Sequence, residues 1–271
     1  MRDRFVKKYR YSWILLKELV RTGFKLRYQG SALGYLWSLF KPLFMFIILY
    51  FVFVHFLRIG GDVPNWPISM LFGIVLWNFF SEVTSTGLSS VVGRSDVIRK
   101  INFPKYIIVL SSSVLALINL LLNFIVLAVF MAIGHVSIGW SALLSPLYIF
   151  ELFLFAMGIS FILAPLYVRL RDIGYIWEIV SQALFYGSAV IYPISMVVSQ
   201  NVVLAKLLLL NPITQSVQGA RNALIGSSNI VASDLTSNIF YTLTPILLVA
   251  IIFIIGAWLF KKRSPDFAED I

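Results

Sequence analysis

The chain has 271 residues, of which 59% are hydrophobic and 13% charged, and its formal net charge is +10 at pH 7. Soluble domains typically hold about 45–50% apolar and about 25% charged residues, so this composition excludes a water-soluble globule and indicates a protein surrounded mostly by lipid. The chain has no cysteine and two histidines, which excludes disulfide scaffolds and leaves few ligands for a metal.

Residues 1–32 are predicted to form an interfacial helix. At about 100° per residue, the apolar side chains between positions 11 and 27 fall on one broad arc and the charged side chains on the other. The apolar set is Trp13, Leu16, Leu19, Val20, Phe24 and Leu26, and the charged set is Lys17, Glu18, Arg21 and Lys25. Such a helix lies along the inner leaflet, where its basic face either binds anionic lipid alone or also contributes to function.

Six apolar stretches predict membrane-spanning helices, because about 20 residues are needed to cross about 30 Å of hydrocarbon. They are 43–57, with an extension back through 34–40, then 68–92, 106–133, 143–168, 173–191 and 239–260. The sequence therefore predicts an all-α integral membrane protein with six transmembrane helices and a single transmembrane domain over 1–271.

The lysines and arginines are concentrated on alternate connections, with 19 on one side of the predicted bundle and 3 on the other. The positive-inside rule then places both termini in the cytoplasm of a multi-pass inner-membrane protein, and this arrangement requires an even number of spans. Because the charge bias already has this cause, nucleic acid is not an expected partner.

Polar side chains recur at helical spacing inside the predicted spans. The faces are Asn78, Glu82, Ser85 and Ser89; Ser112, Ala116, Asn119 and Asn123; Glu151, Phe155 and Gly158; and Glu178, Gln182, Phe185 and Ala189. An ionisable group in hydrocarbon costs about 2.5–3.5 kcal/mol at a helix centre, so these faces must contact protein or water. They either pack spans together or line a route for a polar solute, and a proton relay is a further alternative. No Lys, Arg or His is expected beside the three glutamates.

Aromatic side chains are dense on the first span, where Phe46, Tyr50 and Phe53 share one helix face, and they recur near Phe185. Aromatic planes stack on the faces of sugar rings, so an aromatic-lined passage would suit a glycan. The alternative is that these rings pack in the core or against lipid.

The connection 193–234 is predicted to lie outside and is too apolar for an unstructured loop. Residues 202–210 and 213–225 have hydrophobic faces but are too short to span, and Asn211 and Pro212 supply an N-cap and a first-turn proline. The sequence predicts two short re-entrant helices over the outer end, with Pro193, Asn211 and Pro212 at this outer gate.

No phosphate-binding loop, nucleophile elbow or zinc-binding helix motif occurs in the sequence. We therefore expect no catalytic residue, metal or cofactor here. If the protein moves a large polar solute, the energy must come from an ion gradient or from another subunit. The cytoplasmic segment 93–104 suits such a subunit: Ser95 or Asp96 can cap a short helix, and Val97, Ile98 and Ile101 offer an apolar contact face. The alternative is a solvated basic turn.

The segment 25–42, KLRYQGSALGYLWSLFKP, resembles the start of the first span in permease subunits of type-2 ABC exporters for cell-surface polysaccharides, the family of rhamnan, O-antigen and teichoic-acid exporters. Residues 99–104 resemble the coupling-helix region of that family, 167–172 its inner turn between the fourth and fifth spans, and Asn211-Pro212 its external gate helices.

This resemblance implies a homodimer of permeases with two cytosolic ATPase subunits that bind ATP and Mg²⁺, exporting a glycan on undecaprenyl diphosphate. Contact with the ATPase is then expected at Asp96, Val97, Ile98, Arg99, Lys100, Ile101 and Phe103. The cations expected near the carrier diphosphate are Lys25, Arg27 and Lys41, which lie at the depth of the inner headgroups. The glycan channel is expected between two copies, lined by Phe46, Tyr50, Phe53, Glu178, Gln182 and Phe185.

Other functions remain open at this point. A type-2 ABC exporter of a small amphiphile would need a more apolar route. A membrane enzyme acting on polyprenyl-linked sugars would need clustered acidic or nucleophilic groups, which the scattered Glu82, Glu151 and Glu178 do not supply. A gradient-coupled flippase is the remaining alternative.

Overall fold

A computed structural model of the chain describes residues 2–28, 34, 36–61, 63–101, 103–226 and 228–270, and the side chains among them except those of 2–10, 28 and 268. The described residues form helices and connections without any strand, which confirms the predicted all-α class. Parts of the motifs 25–42 and 99–104, namely 29–33, 35 and 102, lie outside the described residues, as do positions 1 and 29–32 of the predicted interfacial segment.

Thirteen helices follow one another along the described chain, besides two short 3₁₀ turns. They are α1 (Arg2–Tyr28), α2 (Leu36–Phe56), α3 (Trp66–Ser90), α4 (Ser95–Lys100), α5 (Tyr106–Ile133), α6 (Ser145–Arg169), α7 (Ile173–Gly187), α8 (Ile194–Gln200), α9 (Val202–Leu209), α10 (Pro212–Ile225), α11 (Ala232–Leu235), α12 (Ile239–Arg263) and α13 (Phe267–Asp270). The last seven residues of α2, Tyr50–Phe56, have π-helical hydrogen bonding.

Five helices among the described residues are long and apolar enough to cross a membrane: α2, α3, α5, α12, and α6 with the 3₁₀ turn before it. The remaining predicted span, 173–191, is a helix only to Gly187. Its 15 residues rise about 22 Å, which is less than the hydrocarbon thickness. It ends where Ala189 takes a left-handed backbone conformation at φ 49°.

Helix α3 is the centre of the bundle, and it is buried over most of its surface between α5, α6, α7 and α10. Its buried side chains include Trp66, Met70, Phe72 and Phe80. Helices α2 and α12 lie at the periphery and expose most of their apolar surface. The core therefore forms around α3, and the peripheral helices present their apolar faces to lipid.

Glycines bring α6 and α12 into close contact. A Cβ added to Gly158 would lie 2.8 Å from Cα of Phe253, and one added to Gly256 would overlap the carbonyl group of Gly158. Small residues at this crossing let the two backbones approach closely, which is a common basis of helix association in membranes.

Helix α1 packs along α5 through Leu19, which is buried, and Gly23, where an added Cβ would lie 2.8 Å from Leu115. Trp13 and Leu26, on the same predicted apolar arc as Leu19, are exposed. The helix predicted for this segment is confirmed. Its exposed apolar side chains are available to lipid.

At the opposite end of α3 from α4, the chain forms α8, α9, α10 and α11 in place of a loop. The helices predicted at 202–210 and 213–225 are confirmed as α9 and α10, and α8 is an additional short helix. Asn211 caps α10 as predicted, since its side-chain oxygen accepts a hydrogen bond from the backbone N–H of Ile213 at 3.0 Å. Nearly every residue of α10 is buried.

The C-terminal residues pack back onto the end of the bundle that carries α4. Phe267 is buried, and its ring lies edge-on to Phe260 at 5.3 Å between centroids. Arg169 and Asp270 form an ion pair at 3.5 Å. Because α13 contacts both α4 and α6, the chain itself covers one side of the predicted coupling helix.

Candidate functional site

The candidate site is a cleft with two lobes that share Asn78, Ser81 and Ser85 of α3. The basic lobe has a volume of about 570 Å³ and the aromatic lobe about 620 Å³. The three shared residues are three or four positions apart, so they lie on one face of α3. The polar face predicted on this helix therefore lies along both lobes.

The basic lobe lies between the C-terminal end of α1, the start of α2, and the polar faces of α3 and α5. Its polar lining residues, besides those shared with the other lobe, are Arg27, Ser38, Lys41, Glu82, Asn119 and Asn123. Two residues expected to face a carrier diphosphate, Arg27 and Lys41, thus lie in one lobe. The third, Lys25, is exposed and is not among the lining residues.

Glu82 accepts hydrogen bonds from two side chains within this lobe. The guanidinium of Arg27 forms an ion pair with Oε1 of Glu82, and Nδ2 of Asn119 donates to the same oxygen at 2.7 Å. The expectation that no cation accompanies Glu82 is therefore wrong. The pair forms because α1 packs back along α5 and brings its last turn to α3, although the two residues are 55 positions apart.

The aromatic lobe lies between α3 and α7, with Met45 of α2 at one side. The lining residues outside the shared set include Trp77, Trp177, Glu178, Gln182, Phe185 and Tyr186. The ring centroids of Trp77 and Phe185 are 5.3 Å apart, and those of Phe185 and Tyr186 are 5.2 Å apart. The lobe follows α3 from Leu88 to Ile74, a rise of about 21 Å.

The residues expected on the channel wall divide between this lobe and the core. Glu178, Gln182 and Phe185 of α7 lie together in the aromatic lobe. Phe46 instead is 6% exposed and meets Phe130 of α5 edge-on at 5.6 Å. Tyr50 and Phe53 are half-buried against the core and line neither lobe.

In the described part of the single chain these three first-span aromatics line neither lobe, and their place in a passage between two copies stays a prediction. The face of α2 with Pro42, Phe46 and Leu49 is the buried face of that helix. The large aromatic rings on this face fill the space between α2 and the rest of the bundle. The residues of α2 that border the cleft are Trp37, Ser38, Lys41, Pro42 and Met45, so Phe46 and Leu49 of the buried face are not among them.

The predicted coupling segment forms α4, but its apolar side chains do not share one exposed face. Ile98 is 4% exposed and Phe103 is also buried in the core, whereas Val97 is half-buried. The exposed residues are Asp96, Arg99, Lys100 and Ile101. The docking face expected from Ile98 is corrected accordingly: its side chain is buried in the core of the chain, on the helix that α13 covers.

Arg94, immediately before α4, connects this segment to α1. Its Nη2 donates to the carbonyl oxygen of Leu19 at 3.4 Å. Burial lowers the pKa of Arg94, and the neighbouring charge of Asp96 acts in the opposite direction. Arg94 therefore links the turn before α4 to the backbone of α1, the helix that has Arg27 near its C-terminal end.

The residues expected at the outer gate lie close to the turn that follows α7. Nδ2 of Asn211 donates to Oγ of Ser188 at 3.0 Å, and Pro193 is the residue before α8. Pro193 and Pro212 are buried. This end of the molecule also holds a residue that sequence reasoning missed, the fully buried Arg221 of α10. Its signal in the sequence was a single cation in a helix that is otherwise uncharged.

Comparison with known proteins gives one family over most of the chain. The family described as ABC-2 type transporter matches residues 14–225. An O-antigen export system permease protein RfbA of Myxococcus xanthus is 27% identical over 268 residues, 97% of each chain. An RfbA of Klebsiella pneumoniae is 25% identical over 261 residues, 96% of this chain and 95% of the relative. A further RfbA of K. pneumoniae is 27% identical over 189 residues, 69% of this chain and 72% of the relative.

Proposed function

This chain belongs to the ABC-2 type transporter family, and we propose that it is the membrane subunit of an ATP-driven exporter of cell-surface polysaccharide. Similarity to O-antigen export permeases over nearly the whole chain supports this role. The observation that carries the proposal is the cleft, because a basic lobe and an aromatic lobe adjoin on one polar helix face. A glycan linked to a lipid diphosphate has phosphates that suit the basic lobe and sugar rings that suit the aromatic lobe.

The basic lobe is the proposed site of the undecaprenyl diphosphate carrier. Arg27 and Lys41 supply two cations, and charge-assisted hydrogen bonds from such groups are the usual means of binding phosphate oxygens. Glu82 lies eight positions before Ser90, about 12 Å from the end of α3 nearest α4. By the positive-inside rule this end faces the cytoplasm, where the loaded carrier would be met.

The aromatic lobe is the proposed site of the sugars nearest the carrier. Trp77, Trp177 and Phe185 offer apolar ring faces, and Glu178 and Gln182 offer hydrogen-bond acceptors or donors at its exposed edge. Several weak contacts along about 21 Å of groove suit a chain that must slide. A single strong binding site would hold the glycan chain in place.

Export of a polymer requires a second copy of the chain in this proposal. Each lobe holds only about 600 Å³, which is too little for a hydrated polysaccharide, and both lobes open at the side of the bundle. A homodimer that faces its clefts towards each other would enclose a route. Helix α7 and the turn after it would form the sixth crossing, and α8 to α10 would dip into the outer leaflet as the gate.

ATP and Mg²⁺ would be bound by two cytosolic ATPase subunits. The exposed side of α4, with Asp96, Arg99, Lys100 and Ile101, is the proposed docking surface. In this arrangement the chain is a permease without chemistry of its own. It would reside in the inner membrane with both termini in the cytoplasm, as the distribution of Lys and Arg favours.

The test is the ATPase activity of the complex, reconstituted with its ATPase subunit and with undecaprenyl diphosphate-linked glycan. Arg27→Gln combined with Lys41→Gln should lower the stimulation of that activity by the substrate. Lys25→Gln removes an exposed positive charge that is not among the lining residues and should leave the stimulation unchanged. If a lipid that has neither sugar nor diphosphate stimulates the ATPase activity to the same extent, an exporter of small amphiphiles is favoured instead.

A further inference from the structure

The basic lobe contains an anion of its own. Glu82 lies among the residues proposed to bind the carrier, and its carboxylate is paired with Arg27, the cation nearest to it in the described structure. The side chain of Glu82 is 18% exposed and that of Arg27 is 40% exposed. The side chain of Arg27 is therefore accessible from the cleft, whereas that of Glu82 is mostly buried in the bundle.

The position of the Glu82 carboxylate resembles that of a bound phosphate. Its Oε1 accepts hydrogen bonds from a guanidinium and from the amide of Asn119, at 2.7 Å in the second case. Carboxylate and phosphate are both acceptors for the planar fork of an arginine. A phosphate that binds Arg27 must therefore compete with Glu82 for the same N–H groups.

Competition between Glu82 and phosphate for Arg27 affects which membrane lipids bind in the basic lobe. The inner leaflet holds anionic phospholipids in large excess over the carrier, and cations in a cleft towards the cytoplasmic end of the bundle attract them. A phosphodiester headgroup has one negative charge, whereas the carrier diphosphate has at least two. Specificity can come from raising the cost of binding the wrong ligand as well as from contacts to the right one.

We propose that Glu82 is an internal counter-anion that excludes singly charged lipid phosphates from the basic lobe and yields Arg27 only to a diphosphate. This inference rests on the proposed function, since it assigns the selectivity of the same carrier site. On binding, Arg27 exchanges the carboxylate for phosphate oxygens, and Lys41 balances the second charge. Glu82 keeps its hydrogen bond from Asn119 during the exchange.

The experiment measures binding of undecaprenyl diphosphate to the full chain with its ATPase subunit in lipid nanodiscs. Discs of neutral lipid are compared with discs containing phosphatidylglycerol, and undecaprenyl phosphate bearing one sugar, a phosphodiester with one negative charge, is the monophosphate probe. The variant is Glu82→Gln, and Glu82→Ala serves where the first fails to fold. The control is Glu18→Gln, which removes the same charge from an exposed position on α1 outside the lobe.

In neutral lipid, Glu82→Gln should bind the diphosphate roughly two- to fivefold more tightly, the range expected for a partly exposed ion pair. Its preference for diphosphate over monophosphate should shrink by a similar factor. Phosphatidylglycerol should weaken diphosphate binding to this variant, while wild type and Glu18→Gln change little. Weaker diphosphate binding by Glu82→Gln, or no new competition from phosphatidylglycerol, overturns the inference.

The same assay separates this inference from the function on which it rests. If Arg27→Gln with Lys41→Gln leaves diphosphate binding intact, the basic lobe is not the carrier site, and both proposals fail. If that double variant loses binding while Glu82→Gln remains as selective as wild type, only the role of Glu82 is refuted.

Discussion

The guanidinium of Arg221 lies over the indole ring of Trp66, with 5.2 Å between the guanidinium carbon and the ring centroid. The same group donates hydrogen bonds to the carbonyl oxygens of Ser69 at 2.8 Å, Ala189 at 3.0 Å and Val190. Burial lowers the pKa of Arg221 to about 9, so the side chain remains charged at neutral pH. One cation therefore joins α10, the start of α3 and the turn after α7.

Arg221→Lys is expected to lower the free energy of unfolding by about 1–3 kcal/mol. A lysine ammonium has no planar fork, so at least one of the three buried carbonyl groups would lose its partner. The midpoint of thermal unfolding in detergent measures the effect. Arg21→Lys, at an exposed position of α1, is the control and should not shift the midpoint. Equal midpoints for the two variants would contradict the role given to Arg221.

Gly73→Ala is expected to destabilise the same junction. A Cβ at position 73 would lie 2.8 Å from Cζ of Arg221 and 3.0 Å from the carbonyl oxygen of Val190, so the guanidinium would have to leave its place. We expect a loss of about 1–3 kcal/mol, as for overpacking elsewhere.

Gly187→Ala is the matched control, because a Cβ there meets no atom within 4 Å. Since both changes at the junction displace the same contacts, Gly73→Ala and Arg221→Lys together should cost less than the sum of the single losses. Strict additivity in that double-variant cycle would show that the glycine and the arginine are independent.

Ile98→Asp and Ile101→Asp should have different effects although the residues are three positions apart. Ile98 is buried, so an aspartate there would place an unpaired charge in the core and reduce the free energy of unfolding by more than about 3 kcal/mol. Ile101 is 40% exposed, and its change should alter stability by less than about 0.5 kcal/mol.

If the exposed side of α4 binds the ATPase, Ile101→Asp should instead reduce co-purification of that subunit. Unfolding midpoints and pull-down yields together distinguish the two effects. An Ile98→Asp chain that unfolds at the wild-type temperature would show that this residue is not part of the core.

Phe185→Ala and Phe46→Ala form a similar comparison for the glycan route. Phe185 borders the aromatic lobe and is half-buried, so its loss should slow export while the protein stays folded. Phe46 packs on Phe130, and its truncation should cost about 3–5 kcal/mol of stability. Export by reconstituted vesicles and thermal unfolding measure the two effects. If Phe46→Ala exports more slowly but is as stable as wild type, Phe46 acts in the channel wall and not in the core.

Features that depend on local properties could be predicted from the amino-acid sequence alone. An excess of apolar residues over about 20 positions predicts a span wherever it occurs, and five of the six predicted spans are present. Asn211 followed by Pro212 predicts the start of α10 because capping involves only the nearest backbone N–H groups. The polar face of α3 was likewise visible, since helical spacing alone puts Asn78 and Glu82 on one side.

Which helix faces contact one another depends on the packing of the whole bundle. In an apolar helix every face is compatible with both lipid and protein, so the sequence could not tell that Phe46 turns to α5 and Met45 to the cleft. The pairing of Arg27 with Glu82 spans 55 positions and exists only because α1 packs back along the bundle. Ile98 is apolar in either environment, and its burial in the core follows from how α4 packs, which no local pattern encodes.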